Sequence, residues 1–350
     1  MKKLLTMTLL LLIATSGWAL PRYSARYGQA CILCHENLSG GGIRTAYASQ
    51  FLVPQELAAS IPSGSPLDLE IAPGVHLGGD LRTLVSRSNQ DRTVLVTMQT
   101  DLYVGAQLDD RTSVVFEQTR SGVGEAYGTA RILPVNGYLR AGRFEPAYGW
   151  RFADHQLLVR RHLLAPDGAH DPGRLISDGV ELGFRPGSFV VQASVLPSDG
   201  EHGESHAVRA VGRASIGPVN LALGGSSLRH QSAGRLSRTS GLFGYVATSR
   251  WSWLWQVDES RIGDERGLLM THEATVTVLQ GVDLRGTYSH QDPDQEYTTG
   301  ARERWSLGID SLVTPNLGLV SQLVREKIDP GPRVEGPHQW SAEMVFHILF

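Results

Sequence analysis

The residues best equipped for chemistry are two cysteines and a histidine near the start of the chain. The run Cys31-Ile32-Leu33-Cys34-His35 has the C-x-x-C-H spacing by which c-type haem is attached. Two thiols at this spacing form thioethers to the two vinyl groups of one haem, and the adjacent histidine supplies an axial nitrogen to the iron. The motif predicts one covalent haem c on Cys31 and Cys34, with His35 as the iron ligand. No catalytic residue is predicted.

Other uses of this motif are less consistent with its surroundings. A redox dithiol, or a plain disulfide between Cys31 and Cys34, is the first alternative, but no βαβ pattern surrounds the pair and His35 follows it directly. A structural zinc site would need four ligands, and neither a second cysteine pair nor a close histidine pair completes them. The haem site is therefore the preferred interpretation.

A glycine run follows the motif. No Gly-Lys-Ser/Thr ends the run Gly40-Gly41-Gly42, and no strand precedes it, so it is not a phosphate-binding loop. Glycines would let the backbone pass close to a flat porphyrin, and the nearby Arg44 is a candidate partner for a haem propionate. A flexible turn after a short helix is the equal alternative.

The first nineteen residues have the pattern of an export signal. Lys2 and Lys3 precede an apolar run from Leu4 to Ile13, and small residues follow up to Ala19. We expect residues 1–19 to be removed, which places both cysteines in an oxidising compartment. A short membrane anchor is the alternative, although the apolar run is short for a spanning helix.

Composition narrows the class of protein. The chain has 350 residues, 41% hydrophobic, with 39 glycines and a formal net charge of −3. The apolar fraction is too high for a disordered chain, and the net charge is too near zero for nucleic-acid binding by bulk attraction. After residue 20 no stretch of about eighteen apolar residues remains, which argues against a helical membrane protein.

From Val75 onward the apolar residues recur with a period of two, as in β-strands. Val94 to Ala106 alternates in this way, and the chain closes with Trp340, Ala342, Met344, Phe346, Ile348 and Phe350 on one face. The strands are long enough to cross a bilayer at a tilt, and Trp251, Trp253 and Trp255 would add aromatic weight to the lipid face. A soluble β-sandwich is the alternative, because alternation alone does not separate the two.

Turn signals divide this region into sixteen strands, an even number as bacterial single-chain barrels require. The predicted fold is all-β: a transmembrane antiparallel barrel of about sixteen strands with a short N-terminal helical and loop segment that plugs it. The predicted organisation is a signal peptide at 1–19, a haem-binding segment at 20–53, a linker at 54–73 punctuated by prolines, and a porin-like barrel at 74–350. About forty residues rarely build their own core, so the haem segment needs the barrel as its host.

The longest predicted connection, residues 146–173, is rich in charged side chains. It is either a constriction inside the barrel, where metal ions would meet the haem, or a solvated surface loop. The methionines in the predicted strands fall on the apolar face, which argues against a methionine as the second iron ligand. The candidates that remain, besides an open position, are His76, His155, His162 and His170.

The chain resembles the cytochrome-porin fusion proteins, which include the outer-membrane iron-oxidising cytochromes. The matching residues are Gly28, Cys31, Cys34, His35, the run Gly40-Gly41-Gly42-Ile43-Arg44, and Tyr47. The Gly-Gly-Gly-hydrophobic-Arg-x-x-Tyr continuation is similar to a related group of single-haem barrel proteins. The specific motifs cover about thirty residues, and over the barrel the likeness is architectural.

The resemblance implies electron transfer between the cell exterior and a periplasmic c-type cytochrome or other electron carrier. It places the protein in the outer membrane of a Gram-negative cell, in contact with outer-membrane lipid, and Fe(II) oxidation at the cell surface would be one such activity. A passive diffusion porin with a structural or sensory haem is the alternative from another class.

Overall fold

We analysed a computed structural model of the chain. The structure describes residues 21–37, 40–61, 69–90, 92–152, 157–158, 175–197, 205–232, 235–297, 300–329 and 338–350. The predicted signal peptide lies outside the described residues, as does most of the long connection after residue 152. None of the described helices is both long and apolar enough to cross a membrane.

Three short helices lie in residues 21–61, the N-terminal plug. Helix α1 spans Pro21–Tyr27, a 3₁₀ turn spans Cys31–Leu33, and a π-helix spans Ala48–Leu57. Gly28 ends α1 with a φ of +64°, and the Gln29 amide donates to the Ser24 carbonyl at 3.0 Å. This is a Schellman ending, which requires a left-handed residue that glycine adopts without strain. The π-helix extends into the first residues of the predicted linker, which was placed at 54–73. The predicted domain boundaries as such stay a prediction.

Seventeen strands follow among the described residues. They are β1 (Glu70–Ala72), β2 (Val75–Ser88), β3 (Thr93–Gln107), β4 (Thr112–Thr119), β5 (Gly122–Leu133), β6 (Gly137–Phe144), β7 (Ser177–Phe184), β8 (Phe189–Leu196), β9 (Ser205–Ile216), β10 (Val219–Ser232), β11 (Arg235–Ala247), β12 (Trp251–Ile262), β13 (Glu265–Leu279), β14 (Val282–Asp292), β15 (Arg302–Thr314), β16 (Leu317–Ile328) and β17 (His338–Leu349).

Strands β2 to β17 form a closed antiparallel barrel. Each pairs with its neighbours along the chain, and β17 pairs with β2 from Ser341↔Ser88 to Leu349↔Asp80. The predicted sixteen-stranded antiparallel barrel is thereby confirmed. Closure excludes the β-sandwich, because a sandwich leaves the first and last strands as open edges. The short β1, which was not predicted, pairs with β2 outside this cycle.

The outer surface of the barrel is apolar, as the alternation predicts. Trp340, Met344, Phe346 and Ile348 of β17 are exposed, whereas Glu343 between them is buried in the lumen. Trp251 and Trp253 also lie on the outside. An aromatic row continues across the neighbouring strands through Trp253, His272, Tyr288 and Trp305. Such an outer face is typical of barrels that contact lipid.

The two ends of the barrel differ. One end carries tight turns at residues 217–218, 280–281 and 315–316, and we call it the short-turn end. The other end carries the longer connections, including residues 145–176, 293–301 and 329–337, and we call it the long-loop end. The N-terminal plug contacts the wall near the short-turn end, where the Ala59 amide donates to the Leu312 carbonyl at 3.1 Å and Gln280 Nε2 donates to the Ala58 carbonyl at 2.7 Å.

The first part of the long connection folds back into the lumen. In this inward segment, residues 145–152, the Trp150 ring is 5% exposed and lies 4.9 Å from the Phe243 ring. The Trp150 amide donates to Gln256 Oε1 at 2.8 Å, and the Tyr148 hydroxyl donates to Asp258 at 2.7 Å. The beginning of the loop is therefore buried among wall residues, in agreement with the constriction interpretation for these positions. The charged residues from 153 to 156 and from 159 to 173 lie outside the described residues.

The close packing of the inward segment on the wall requires glycine at position 149, and replacing Gly149 by alanine should destabilise this packing. Gly149 has a φ of +46°, and a Cβ there would lie 2.3 Å from Gln256 Oε1. Strain and steric overlap should together cost about 1–3 kcal/mol. We expect the temperature at which the folded band converts to the unfolded band in gel electrophoresis to fall for Gly149→Ala. Gly225→Ala is the control, because its Cβ would meet nothing closer than 3.6 Å, and an equal loss in both variants would contradict the assignment.

Candidate functional site

The His35 ring is buried inside the barrel without a well-formed hydrogen bond. The residue is 5% exposed, and neither Nδ1 nor Nε2 of its ring makes a well-formed hydrogen bond, with only the backbone of Gly42 and Ile43 approaching the imidazole. Burial, followed by the positive charges of Arg44 and Arg151, lowers the pKa of His35 to about 4. The imidazole is therefore neutral at pH 7, the form in which histidine binds metals. An orphaned buried imidazole is costly in a protein interior and calls for a partner.

Both thiols line the same cleft as His35. The residues around this His35 cleft are mostly apolar at the cleft surface and include Tyr23, Cys31, Cys34, Gly40, Leu52 and Arg151. Both cysteines are free. Burial is the main cause that raises the pKa of Cys34 to about 11, so that its thiol is protonated at pH 7. Two thiols, a neutral imidazole and an apolar wall are the set of groups that a covalently bound haem requires.

The backbone after the motif brings the glycines against this cleft. The Cys34 and His35 amides both donate hydrogen bonds to the Cys31 carbonyl, at 3.1 and 3.0 Å, and these bonds form a tight turn. His35 then pairs with Arg44 in an isolated antiparallel bridge. Between these positions, Gly40, Gly41 and Gly42 have φ values of +91°, +77° and +67°. A Cβ on Gly40 would lie 3.5 Å from Cys31 Cβ, within ordinary contact. The glycines are thus required by the backbone conformation.

The described residues fit a covalent haem. The orphaned nitrogens of His35 would supply the axial ligand, and Cys31 and Cys34 would supply the two thioether bonds. Thioether attachment through Cys31 and Cys34 and iron ligation by His35 stay predictions. What the structure adds is that all three face one cleft inside the barrel.

Arg44 lies near the His35 cleft, where its charge acts on His35 and Cys34, and its predicted contact with a haem propionate stays a prediction. Its Nη1 donates to the Pro315 carbonyl at 3.1 Å, at the barrel wall, and burial lowers its pKa to about 10. Arg151 of the inward segment lines the His35 cleft, and its Nη1 donates to the Gly40 carbonyl at 2.7 Å. The guanidinium of Arg151 also lies 3.1 Å from Glu145. The plug and the inward segment therefore meet beside the candidate haem position.

Two arginines of helix α1 fasten the plug to the wall. Arg22 is fully buried, with Nη2 2.6 Å from Asp310 and further carboxylates of Glu273 and Asp283 at 3.6 Å. Arg26, one helical turn later, lies 3.0 Å from Asp283 and donates to the Thr275 hydroxyl. We call Arg22 and Arg26 the anchor arginines. Since buried charges are tolerated only when paired, this cluster fixes the position of the plug in the barrel.

A second contact joins the plug to a different part of the wall. Asn37 Nδ2 donates to Glu125 Oε2 at 2.9 Å, and Arg140 Nη1 donates to Asn37 Oδ1 at 3.4 Å. Arg140 also forms a buried ion pair with Glu181 at 2.8 Å. Residues around His35 are thereby held between β5 and β6, while α1 is held by β13 to β15.

The structure constrains the second axial ligand only in part. His76 lies in β2 and is partly exposed, and His155, His162 and His170 lie outside the described residues. Met344 is exposed on the outer surface, and Met270 shares the outward parity of its strand. The buried His347, which sequence reasoning did not single out, lies beside Asp80, with its Nε2 2.6 Å from Asp80 Oδ1. Among the described residues, no group of three or more potential metal-ligating side chains forms a separate metal site.

Sequence reasoning missed the residues that position the site. The anchor arginines have a visible signal, two arginines four residues apart directly after the predicted cleavage site. Trp150 has a weaker one, an aromatic residue in a predicted loop. Their acidic and aromatic partners lie more than 90 residues away in sequence, as for Arg22 and Asp310 or Trp150 and Phe243.

Comparison with known proteins identifies the fold. No protein-family model matches the chain, and no curated protein matches its sequence. Among solved structures, an anion-selective porin from Comamonas acidovorans has a TM-score of 0.59 at 14% identity, covering 79% of this chain and 99% of the porin. OmpT, an outer membrane protein of Vibrio cholerae, has a TM-score of 0.59 at 12% identity, covering 79% and 97%. The outer membrane channel DcaP of Acinetobacter baumannii has a TM-score of 0.57 at 9% identity, covering 79% and 97%.

At these identities the likeness is one of fold. The chain has a porin-like barrel, which agrees with the architectural half of the predicted resemblance. The C-x-x-C-H segment is not part of what these comparisons establish.

Proposed function

We propose that this chain is an outer-membrane barrel that carries one covalent c-type haem in its lumen and passes single electrons between the cell exterior and a periplasmic electron carrier. The observation that carries the proposal is His35, a buried neutral imidazole without a well-formed hydrogen bond, which shares a cleft with the two thiols of the chain. The barrel fold and its apolar outer surface support the membrane location.

The residues divide this task among themselves. When bound, the haem supplies a reversible one-electron couple whose potential depends on its axial ligands and its burial. Cys31 and Cys34 would hold it covalently, and His35 would bind its iron. The anchor arginines keep the segment in the lumen, and Arg151 places a cation at the edge of the cleft. Short turns of such barrels face the periplasm, so the plug, at the short-turn end, would lie close to a periplasmic c-type cytochrome. Fe(II), a one-electron donor, is the extracellular substrate to test first.

A passive diffusion porin with a structural or sensory haem is the second candidate. The fold neighbours favour it over the electron carrier, because the solved structures that resemble this chain are porins and channels, one of them described as anion-selective. The buried contacts between the plug and the wall favour the electron carrier, because they place the C-x-x-C-H segment within the space through which solutes would pass. The two candidates predict opposite results for ion flow.

Conductance and redox spectra on one preparation separate the candidates. The full-length protein purified from outer membranes would be placed in planar bilayers and also titrated with dithionite and with Fe(II) salts. The electron-carrier proposal expects a small conductance together with a reversibly reducible, covalently attached haem. The diffusion porin would be favoured by a large steady conductance together with a haem that is reduced neither by Fe(II) nor by a reduced periplasmic cytochrome fraction. If the purified protein carries no covalent haem, both the electron carrier and the porin with a structural or sensory haem are excluded.

Replacing His35 by alanine should abolish the spectrum of the histidine-ligated haem while the barrel still assembles. The change removes the group that would bind the iron next to the two thiols, and its ring atoms make no well-formed hydrogen bond in the described structure. The matched control is His347→Gln. His347 is also buried, with 3% of its surface exposed, and it is paired with Asp80. We expect the control to keep the spectrum, measured as the reduced-minus-oxidised difference. An unaltered difference spectrum in His35→Ala would rule out His35 as the ligand.

A further inference from the structure

A cavity of about 450 Å³ opens near the short-turn end of the barrel, on the side of the plug away from the anchor arginines. The end of α1 at Gly28 forms one side of it. The barrel contributes Arg185 and Ser188 from the β7–β8 turn, Arg213 from β9 and Tyr245 from β11. The lining residues include no aspartate or glutamate. A pocket of this size with convergent polar groups is suited to a small solute.

The arginines around this cavity lack acidic partners. In the part of the chain that the structure describes, no carboxylate forms an ion pair with Arg131, Arg185 or Arg213. Five other arginines inside the barrel each have one, namely Arg22, Arg140, Arg151, Arg285 and Arg304. The Nε atoms of Arg131 and Arg213 are buried without a hydrogen-bond acceptor. Burial and the neighbouring charge of Arg131 lower the pKa of Arg185. Arg185 and Arg213 line the cavity, and Arg131 lies near Arg185, so positive charge without a counter-ion favours the entry of an anion.

A hydroxyl donor completes the set. Tyr245 is 1% exposed and lines the cavity. The Arg213 guanidinium lies beside its Oη, and no acceptor takes the hydroxyl proton. Buried hydroxyl groups are normally paired. The Tyr245 hydroxyl, beside Arg213, can therefore donate its proton to an oxygen atom that the protein itself does not supply.

Arg185 is held in position by a strained turn. Its amide donates to the Val135 carbonyl at 3.2 Å, and its Nε donates to the Asn136 carbonyl at 3.1 Å. Val135 and Asn136 have φ values of +51° and +55°, and a β-branched residue rarely adopts this conformation. The turn thereby fixes the backbone and Nε of Arg185, and the structure assigns no acidic partner to the rest of its guanidinium group.

We propose that this cavity is an oxyanion site, which binds a carboxylate or phosphate group through Arg185, Arg213 and the Tyr245 hydroxyl. Guanidinium groups pair with such anions in two-point contacts. The site goes beyond the proposed electron transfer, because none of its groups belongs to the His35 cleft. Ala30 is the one residue that lines both the cavity and the cleft, and it adjoins Cys31. The same anionic chemistry therefore has two sources, a free solute anion and a propionate of the haem.

The test measures anion binding to the full-length protein in detergent by titration calorimetry, with sodium phosphate and sodium succinate as probes. It uses a Cys31→Ala/Cys34→Ala background, which has no covalent haem, so that failure of the haem proposal does not affect the result. We expect binding in this background, and a dissociation constant at least about tenfold higher after Arg185→Gln/Arg213→Gln, since charge-assisted contacts are the strong ones. Tyr245→Phe, which removes only the hydroxyl, should weaken binding by a smaller factor.

The matched control is Arg261→Gln/Arg266→Gln, two exposed arginines that pair with Glu259 at the long-loop end, and it should leave binding unchanged. Titration of the haem-containing wild type then identifies the source of the anion. Undiminished phosphate binding supports a free solute anion, and loss of binding supports occupation by a propionate. Absence of binding in the haem-free background, or equal binding before and after the Arg185 and Arg213 changes, would overturn the proposal.

Discussion

Replacing Cys31 and Cys34 by alanine should abolish covalent haem and every redox signal of the protein, with the barrel still assembled. The thioether bonds depend on these two sulfur atoms, and the chain has no other cysteine. The barrel should survive because its strands pair through backbone hydrogen bonds and its wall does not include either cysteine. The measurements are haem staining of the denatured band and the reduced-minus-oxidised spectrum of the outer-membrane fraction.

The control for this experiment is Ser24→Ala, a change at another position lining the same cleft that removes no proposed haem-bonding atom. It should retain the stain and the spectrum. A covalently stained band in the double cysteine variant would refute the haem assignment. An unstained wild type, made in cells that mature other c-type cytochromes, would instead indicate a disulfide or dithiol and leave the porin as the remaining candidate.

Removing both anchor arginines should open the barrel to ions. In Arg22→Met/Arg26→Met the carboxylates of Asp283, Asp310 and Glu273 lose the cations that the plug supplies. Breaking a buried pair in this way costs about 3–5 kcal/mol, because it leaves an uncompensated buried charge. Arg285 still lies 3.4 Å from Asp310 and 3.7 Å from Glu273, so the loss falls chiefly on the docking of the plug. Barrels of sixteen strands leave an aqueous channel when nothing fills them.

Single-channel conductance in planar bilayers measures this effect, and we expect a several-fold increase over the wild type. Arg261→Met/Arg266→Met removes the same charge from exposed positions, 61% and 53% accessible, and should leave the conductance at the wild-type value. A wild type that already conducts like an open porin, and does not change in the anchor variant, would show that the plug does not block the lumen.

The barrel was predictable because its signal is local. Alternation along β17 places Trp340, Met344 and Phe346 on one face, and the same rule applies to each strand without knowledge of its neighbours. All sixteen predicted strands have counterparts, with ends that differ by a few residues. The short β1 was missed since a three-residue strand carries too few positions to show a period.

For the candidate site, the sequence predicts the haem-binding residues but not their surroundings. A contiguous motif sets Cys31, Cys34 and His35 side by side whatever the rest of the chain does, so the sequence alone determined which residues would bind a haem. It did not determine the surroundings of His35. Arg44 was chosen for its nearness in sequence, and its role stays a prediction. Arg151, more than one hundred residues from the motif, lines the cleft.

The sequence by itself determined the repeating pattern of the wall, the export-like start and the C-x-x-C-H motif, because each depends on residues that are neighbours along the chain. Only the tertiary structure decided that the plug lies in the lumen, that Arg22 pairs with Asp310 and that Tyr245 faces an acid-free cavity. Those contacts follow from closure of β17 on β2, which sets the curvature of the wall and brings side chains from distant strands into one enclosed space. No local pattern encodes which charges meet across such a space, because that outcome depends on the register of all the strands at once.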